Sequence, residues 1–409
     1  MAKKTDRNII VGLDIGTSKV AAIVAEHTGN DEIEIIGIGV APSKGLKKGV
    51  VVNLESTVHS IQRAIEEAEL MAGCQIQSVF AGIAGSHIKS LNSHGIVAIK
   101  EKEVTQYDID RVIDSARAVA IPADQKILHI LPQEFVIDQQ DGIKEPIGMS
   151  GIRLEAKVHM VTCSVSAAQN IIKCIRRCGL EVEDIVLEQL ASCTSVLTED
   201  EKELGVCLID IGGGTTDIAI YERGSLWYTS VIPIGGDNFT NDLAIGLRTP
   251  ISEAEKIKKK YGCALSSITE DEEETIEVPS VGGRKPRILP KKIIVDIIQP
   301  RAEEIFRLIN DEIKKMGYEK SLNSGIVLAG GGALLDGLEE IAEEVFDLPA
   351  RRGIPTGVLG LVDRINSPDY ATSVGLLLYG YNQRIASGIK KKGKKGIFKN
   401  IMEWFKENF

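Results

Sequence analysis

Two short stretches of this sequence have the residue types that hold a polyphosphate. Asp14-Ile15-Gly16-Thr17-Ser18-Lys19 and Asp210-Ile211-Gly212-Gly213-Gly214-Thr215-Thr216-Asp217 each lie between two apolar runs. Glycines there let backbone N–H groups turn inward against phosphate oxygens with no Cβ in the way. Thr17, Ser18, Thr215 and Thr216 add hydroxyl donors. Asp14 and Asp210 stand at the strand ends, where carboxylates hold Mg²⁺ largely through water, as that ion prefers. Asp217 is placed to orient the second loop. One such hairpin means little, because Gly/Ser turns between strands are common. Two equivalent hairpins would clamp a polyphosphate from both sides.

The elements that must position these loops follow from apolar spacing. Ile9–Val11 with Leu13 and Ile15 is a buried strand, and Val20–Ala25 returns beside it. Glu55–Gly73 has helical spacing with Ile61, Ala64, Ile65 and Ala68 on one face. Val79–Ile83 is a further strand, and short strands alternating with helices indicate α/β layers. From Ser86 to about Val165 the pattern changes to a compact α+β insert. It has a strand at Ile96–Ile99, a helix from Tyr107 to Ala118 and an extended run Ile152–Val165, with Pro122, Pro132 and Pro146 as interruptions. The helix Ala167–Cys178 ends at Gly179, a C′ glycine. Val206–Ile209 and Ile218–Tyr221 then repeat the opening strand–turn–strand grammar, the mark of a duplicated domain. Glu270–Glu274 and Pro279–Pro290 are expected as excursions in a smaller subdomain. Ile326–Leu328 is a strand entering Ala329-Gly330-Gly331-Gly332-Ala333, with a helix to follow.

With 409 residues the chain exceeds one ordinary core, so two to four domains are expected. Apolar residues at 43% and charged residues at 26% are the balance of a globular protein rather than a disordered one. The net charge of −10 argues against a nucleic-acid binder. That charge is uneven: from Ile389 onward there are seven Lys and two Glu, a net of +5 on a body of about −15. A basic end on an acidic body suggests a local anionic partner. The seven Cys are scattered, as in a reducing compartment. Cys74, Cys163, Cys193, Cys207 and Cys263 are expected as small buried residues. Cys174 and Cys178, one helical turn apart, are expected as plain thiols, since no second Cys/His pair has metal-site spacing. The opening MAKKTDRN leads straight into a strand, so no signal peptide is expected. No apolar run approaches the ~18 residues that span a bilayer.

These motifs resemble those of the actin/Hsp70/sugar-kinase ATPase superfamily. DIGTSK and DIGGGTTD look like its two phosphate loops. Glu188-Gln189-Leu190-Ala191-Ser192 stands at its first interdomain connector, Leu328–Ala333 at its adenosine loop, and Tyr370–Gly375 at its second connector. The resemblance implies a fold of two lobes around an ATP cleft. It implies nucleotide contacts at Gly16, Thr17, Ser18, Lys19, Gly212, Gly213, Gly214, Thr215 and Thr216, and at Gly235, Gly236, Gly330, Gly331 and Gly332. The segment Ser252–Lys259 resembles the helix that contacts ribose and adenine, through Glu255 and Lys258 or Lys259. Its alternative is a capping box, Ser252 with Glu255, opening a solvated helix. Glu188 is assigned to position an attacking water. The family's proline after it is Gln189 here, so ATP binding is expected and hydrolysis, where it occurs, is expected to be slow.

Gly396–Phe409 closes the chain. Ile397, Phe398, Ile401, Met402, Trp404, Phe405 and Phe409 fall on one wide helical face, with Lys399, Asn400, Glu403, Lys406, Glu407 and Asn408 opposite. Its ~20 Å is too short to cross a bilayer and suits the membrane surface. Five Lys just upstream add about 1 kcal/mol each near an anionic leaflet. The alternatives are a groove on a protein partner and the chain's own body.

The insert, basic linker and terminal amphipath together resemble the FtsA family of actin-like bacterial division proteins. GLDIGTSKVAAIVAE, APSKGLKKGVVVN and IPIGGDNFTNDLA are close to that family. The resemblance divides the chain into subdomain 1A (1–84 and 166–196), inserted 1C (85–165), 2A (197–238 and 306–366) and 2B (239–305). A return helix (367–388), a basic linker (389–396) and the membrane helix (397–409) complete it. It implies filaments on the cytoplasmic face of the inner membrane at the septum. It also implies docking of the C-terminal tail of FtsZ on 2B around Arg301, and other division proteins recruited through the insert. Arg301 is alternatively a helix-surface charge. A small-molecule kinase or phosphatase, or a pilus-assembly ATP-binding protein, are the other readings of the same fold.

Overall fold

A computed structural model of the chain describes residues 9–28, 32–266 and 274–392. The first lobe opens with strands β1 (Ile9–Ile15), β2 (Lys19–His27) and β3 (Ile33–Pro42), then a small hairpin of β4 (Leu46–Lys47) and β5 (Val50–Val51). Helix α1 (Leu54–Ala72) and strand β6 (Ser78–Ile83) follow. Asn53 caps α1 by accepting the Ser56 N–H, and Gly73 ends it in the left-handed region at φ 63°. The expected face, Ile61, Ala64, Ile65 and Ala68, is buried. It lies directly on β3, because Gly37 and Gly39 leave the helix backbone room to approach.

The insert holds β7 (Lys89–Ala98), α2 (Gln106–Arg117), β8 (Gln125–Ile137), β9 (Gln140–Ile143) and β10 (Arg153–Ser164). Its sheet runs β7-β10-β8-β9 and, with α2, encloses its own core around Val112, Leu154, Val158 and Met160. Pro132 does not interrupt this region; it sits within β8. The register slips there, with Lys157 opposite Glu134 and Val158 opposite Pro132, so Gln133 is the extra residue of a bulge. A bulge is where a strand tolerates a missing N–H. The freed Gln133 side chain donates to the carbonyls of Leu226 and Trp227 in the second half. The Ser90 hydroxyl donates to the Thr229 carbonyl, and the His159 ring meets the Thr229 hydroxyl at 2.9 Å. The insert therefore grows from the first lobe and rests on the second.

The chain returns through α3 (Val165–Arg177) and β11 (Glu181–Leu187) into α4 (Glu188–Val196) and α5 (Glu199–Leu204). The second lobe has β12 (Val206–Ile211), β13 (Thr216–Glu222) and β14 (Ser225–Ile232), then α6 (Gly236–Leu247) and α7 (Ile251–Tyr261). Next come β15 (Thr275–Val278), β16 (Arg287–Pro290), α8 (Lys292–Met316), β17 (Ile326–Ala329), α9 (Leu338–Phe346) and β18 (Ala350–Arg352). Strand β19 (Leu359–Gly360), α10 (Val362–Ile365) and α11 (Ala371–Lys392) end the described chain. The two main sheets run β11-β6-β1-β2-β3-β19 and β14-β13-β12-β17-β18. In both, an antiparallel hairpin is flanked by a parallel strand, which is the duplication seen in the sequence.

Several boundaries move. The expected divisions at 238/239 and 305/306 fall inside α6 and α8, and Pro300 is accommodated within α8. Helix α11 continues to Lys392, past the expected start of the linker. The rest of that linker, the terminal residues Ile397–Phe409 and the acidic loop up to 273 lie outside the described residues. Cys163, Cys174, Cys193, Cys207 and Cys263 are buried free thiols, while Cys74 and Cys178 are half-buried. Burial pushes the thiols of Cys174 and Cys178 up to about 11.

Candidate functional site

The two Asp-Gly hairpins face each other across one cleft of about 470 Å³. Their register is equivalent: Asp14 pairs with Ala21 and Ile15 with Val20, while Asp210 pairs with Asp217 and Ile211 with Thr216. Both Asp14 and Asp210 are the next-to-last residues of a strand and reach the cleft floor. The repeat is chemically lopsided, since Asp217 has Ala21 as its counterpart.

Of the residues proposed from sequence, Asp14, Gly16, Thr17, Ser18, Lys19, Glu188, Asp210, Gly212, Gly213 and Thr215 line the cleft. So do Gly236, Glu255, Lys258, Lys259, Gly330, Gly331 and Gly332. Three do not. Gly214 faces the Lys48 backbone, and a Cβ there would stand 2.9 Å from Lys48 Cα. Thr216 is fully buried and spends its hydroxyl on the Ile234 carbonyl at 2.8 Å. Gly235 backs the second hairpin, so that the N–H groups of Gly236 and Asp237 reach the carbonyls of Gly212 and Gly213, each at 2.8 Å. These three build the loop rather than the surface it presents.

The cleft floor gathers acid. Burial pushes Asp14 up to about 7, with Lys19 opposing and Asp210 and Asp369 reinforcing. Burial also raises Glu188 well above the usual range, helped by Asp14, Asp217 and Asp210. Asp217 is raised likewise by burial and by Asp210, and its Oδ1 is buried without a partner. Asp210 is raised by burial, against hydrogen bonds from Ser192 and Thr372. Lys19 is the cation among them. Its ammonium pairs with Asp369 at 2.6 Å and lies 4.0 Å above the Tyr370 ring. Against the upward push of burial, Lys19 and the Ser367 hydroxyl hold Asp369 low. Asp14, Glu188, Asp210 and Asp217 bring together oxygen groups of the kind that would hold a hydrated divalent cation. Among the described residues no three His, Cys, Asp or Glu side chains close into a direct metal cage.

Glu188 opens α4 and packs over Gly82, where a Cβ would lie 2.9 Å from the glutamate Cγ. Gln189, in place of the expected proline, donates to the Ser230 carbonyl at 3.3 Å and leaves Glu188 in the cleft. The capping box at Ser252, the alternative reading of the segment Ser252–Lys259, does not form. Helix α7 already begins at Ile251 after Pro250. Glu255 is instead bound to Lys258 at 2.7 Å and to the Thr240 hydroxyl. Lys258 also donates to the Gly236 carbonyl at 2.9 Å, tying this helix to the loop beside the second hairpin. Arg301 is committed within the chain: Nε and Nη2 go to Asp242 at 2.7 and 3.1 Å, and Nη1 goes to Glu304. That geometry favours the surface-charge alternative.

Sequence reasoning missed Asp369, Gly49 and Phe239, which also line the cleft. Gly49 arrives on the turn between β4 and β5, where its N–H donates to Thr17 Oγ1 at 3.1 Å. Asp369 and Gly49 meet the hairpins from segments distant in sequence, whereas Phe239 follows Gly236 on α6 and gave no polar signal of its own.

Two lobes with duplicated strand–turn–strand hairpins across a shared cleft define an actin-like ATPase fold. Solved structures agree on the fold. The PilM–PilN type IV pilus biogenesis complex matches with a TM-score of 0.67 at 16% identity, over 91% of this chain and 98% of that one. MreB5 of Spiroplasma citri bound to ADP matches with a TM-score of 0.54 at 16% identity, over 95% and 99%. Within that class, the chain belongs to the FtsA family of cell division proteins. It is 56% identical to the cell division protein FtsA of Pseudomonas aeruginosa and 46% identical to that of Escherichia coli K12, over 100% of both chains in each case. The family model for FtsA matches residues 207–375, and that for the SHS2 domain inserted in FtsA matches 85–162. The second match lies within the insert expected at 85–165.

Proposed function

We propose that this chain is a nucleotide-regulated membrane tether of the division machinery, in which ATP occupancy rather than turnover sets the active state. Gly16–Ser18 and Gly212–Thr215 would hold the phosphates, with Gly236, Glu255, Lys258, Lys259 and Gly330–Gly332 around the nucleoside. Asp14 and Asp210 would hold the water shell of Mg²⁺. ATP bound there would supply a polyphosphate common to both hairpins, and Mg²⁺ would supply positive charge between that polyphosphate and the acidic floor. Glu188 stays in reach of the same floor, where it would orient water for slow hydrolysis.

The closed cleft favours head-to-tail contacts between copies. Each copy adds one terminal amphipath, so avidity makes weak anchors effective on an anionic leaflet. The surface of α6 and α8 is the proposed seat of the C-terminal tail of FtsZ, with Arg301 ordering it through Asp242. The insert is the proposed platform for other division proteins. The place of action is the cytoplasmic face of the inner membrane at the septum. No helix among the described residues is long and apolar enough to cross a membrane.

The observation that carries this reading is the presence, in one chain, of a two-hairpin cleft and a terminal apolar stripe from Ile397 to Phe409. Co-sedimentation with anionic liposomes and ATP tests it, comparing the full chain with one ending at Ser387. Lipid pelleting by the full chain alone supports the tether. Equal pelleting, or none, removes the terminal residues as the anchor. Assembly on lipid with ATP but not with a nonhydrolysable analogue would overturn the occupancy mechanism.

A further inference from the structure

The Asp210 carboxylate is held from two directions by residues far apart in the chain. Ser192, on α4, donates to Asp210 Oδ2 at 2.7 Å. Thr372, on α11, lies 3.3 Å from the same oxygen and 3.0 Å from the Ser192 hydroxyl. Ser192 is fully buried, and Asp210 and Thr372 nearly so. Oδ1 lies beside Gly330 on the cleft wall, close enough that any Cβ at Gly330 would strike it. Asp14, at the matching position of the first hairpin, has no hydroxyl partner among the described residues; what attracts it is the Lys19 charge.

Two hydroxyls on one carboxylate oxygen fix the rotation of the whole group and favour its charged form. We infer that Ser192 and Thr372 are positioning residues, which aim Asp210 Oδ1 into the cleft as the principal protein oxygen for the hydrated cation that accompanies the nucleotide. The inference rests on the nucleotide reading proposed above and deepens it. It makes Asp210, rather than Asp14, the dominant partner of the ion. It also makes the ion sensitive to the crossing of α4 and α11, because each helix contributes one of the two hydroxyls.

Ser195 supplies a control on the same crossing. Its hydroxyl donates to the Ala371 carbonyl at 2.7 Å, so it also joins α4 to α11, yet it does not touch Asp210. The experiment measures ATP binding to the full chain by calorimetry, once with Mg²⁺ and once with EDTA. The Mg²⁺ gain is the ratio of the two affinities. Ser192→Ala and Thr372→Val are each expected to cut that gain about tenfold, the low end for loss of a partner that orients a metal ligand. Their affinities in EDTA are expected to stay near wild type. Thr372→Ser keeps the hydroxyl and is expected to keep the gain, as is Ser195→Ala. If Thr372→Val does not fold, Ser192→Ala against Ser195→Ala decides. An unchanged gain in Ser192→Ala, or an equal loss in Ser195→Ala, overturns the inference and leaves nucleotide binding intact. A wild-type chain that binds ATP equally in both buffers does the same. A wild-type chain that binds no ATP in either buffer overturns the nucleotide reading and the inference with it.

Discussion

Replacing Gly375 with alanine places a methyl group where two helices have no room for one. Helix α11 crosses α4 at this point, and a Cβ built on Gly375 would lie 1.8 Å from the Ala191 carbonyl oxygen and 2.2 Å from its carbon. Ordinary contact begins near 3.4 Å, so the helices must separate by about 1.6 Å locally. The obstacle is backbone, so no change of side chain at position 191 relieves it. Separation loosens the packing among Val186, Ala191 and Leu376, all fully buried. Even a 0.5–1 Å gap forfeits roughly a quarter to a half of each contact's attraction. Overpacking of this kind costs about 3 kcal/mol, the upper part of its usual range. For a chain of 409 residues the thermal midpoint is expected to fall by roughly 3–4 °C. Differential scanning calorimetry of the full chain reads that fall, with Gly375→Ala,Ala191→Gly expected to recover none of it. A midpoint within about 1 °C of wild type would show that the crossing yields freely, and that the close approach imposes no constraint.

The same geometry yields further expectations. Gly213→Ala brings a Cβ to 2.2 Å from Ser18 Oγ, wedging the two hairpins; ATP affinity is expected to fall at least tenfold, and Ser18→Ala, which deletes that oxygen, is expected to restore part of it in a titration of the double variant. Burial raises Asp14 from 3.8 to about 7, so the folded chain holds a proton that the unfolded chain releases. Stability contributed by that proton is therefore lost as pH rises from about 4 to about 7; the ligand-free midpoint is expected to fall over this range, and less steeply in Asp14→Asn. Arg301→Ala removes a partly exposed pair with Asp242 and is expected to cost under about 1 kcal/mol in denaturant titration. Loss of FtsZ-tail binding well beyond that cost, measured with a labelled tail peptide, would return Arg301 to a direct partner contact.

The hairpins were legible because strand, turn and chemistry are contiguous in the chain. Ile15 to Lys19 and Ile211 to Thr216 carry their own turn residues, and the strands on either side announce themselves by apolar content. The buried face of α1 was legible for the same reason, since helical periodicity is local. What escaped was long-range or a matter of local competition. Lys19 finds its counter-charge in Asp369, 350 positions away. Ser192 and Asp210 meet Thr372 only because two helices cross. Pro132 suggested a break, but a bulge absorbed it. Ser252 and Glu255 fit a capping pattern, but Pro250 had already set the helix start, and Thr240 and Lys258 offered Glu255 better partners than a backbone N–H.

Helix α11 also decides how the molecule bears load. Arg384 grips the Ile9 carbonyl at 2.7 Å and Glu183 on β11, and Tyr379 donates to Asp184 at 3.2 Å. These three contacts fasten the last helix across β1 and β11, both strands of the first sheet. A pull on the end of α11 is thus taken up as shear along that sheet, spread over several bonds that must slip together. The same helix begins with Thr372 against Asp210, so a pull that outlasts those bonds reaches the cleft.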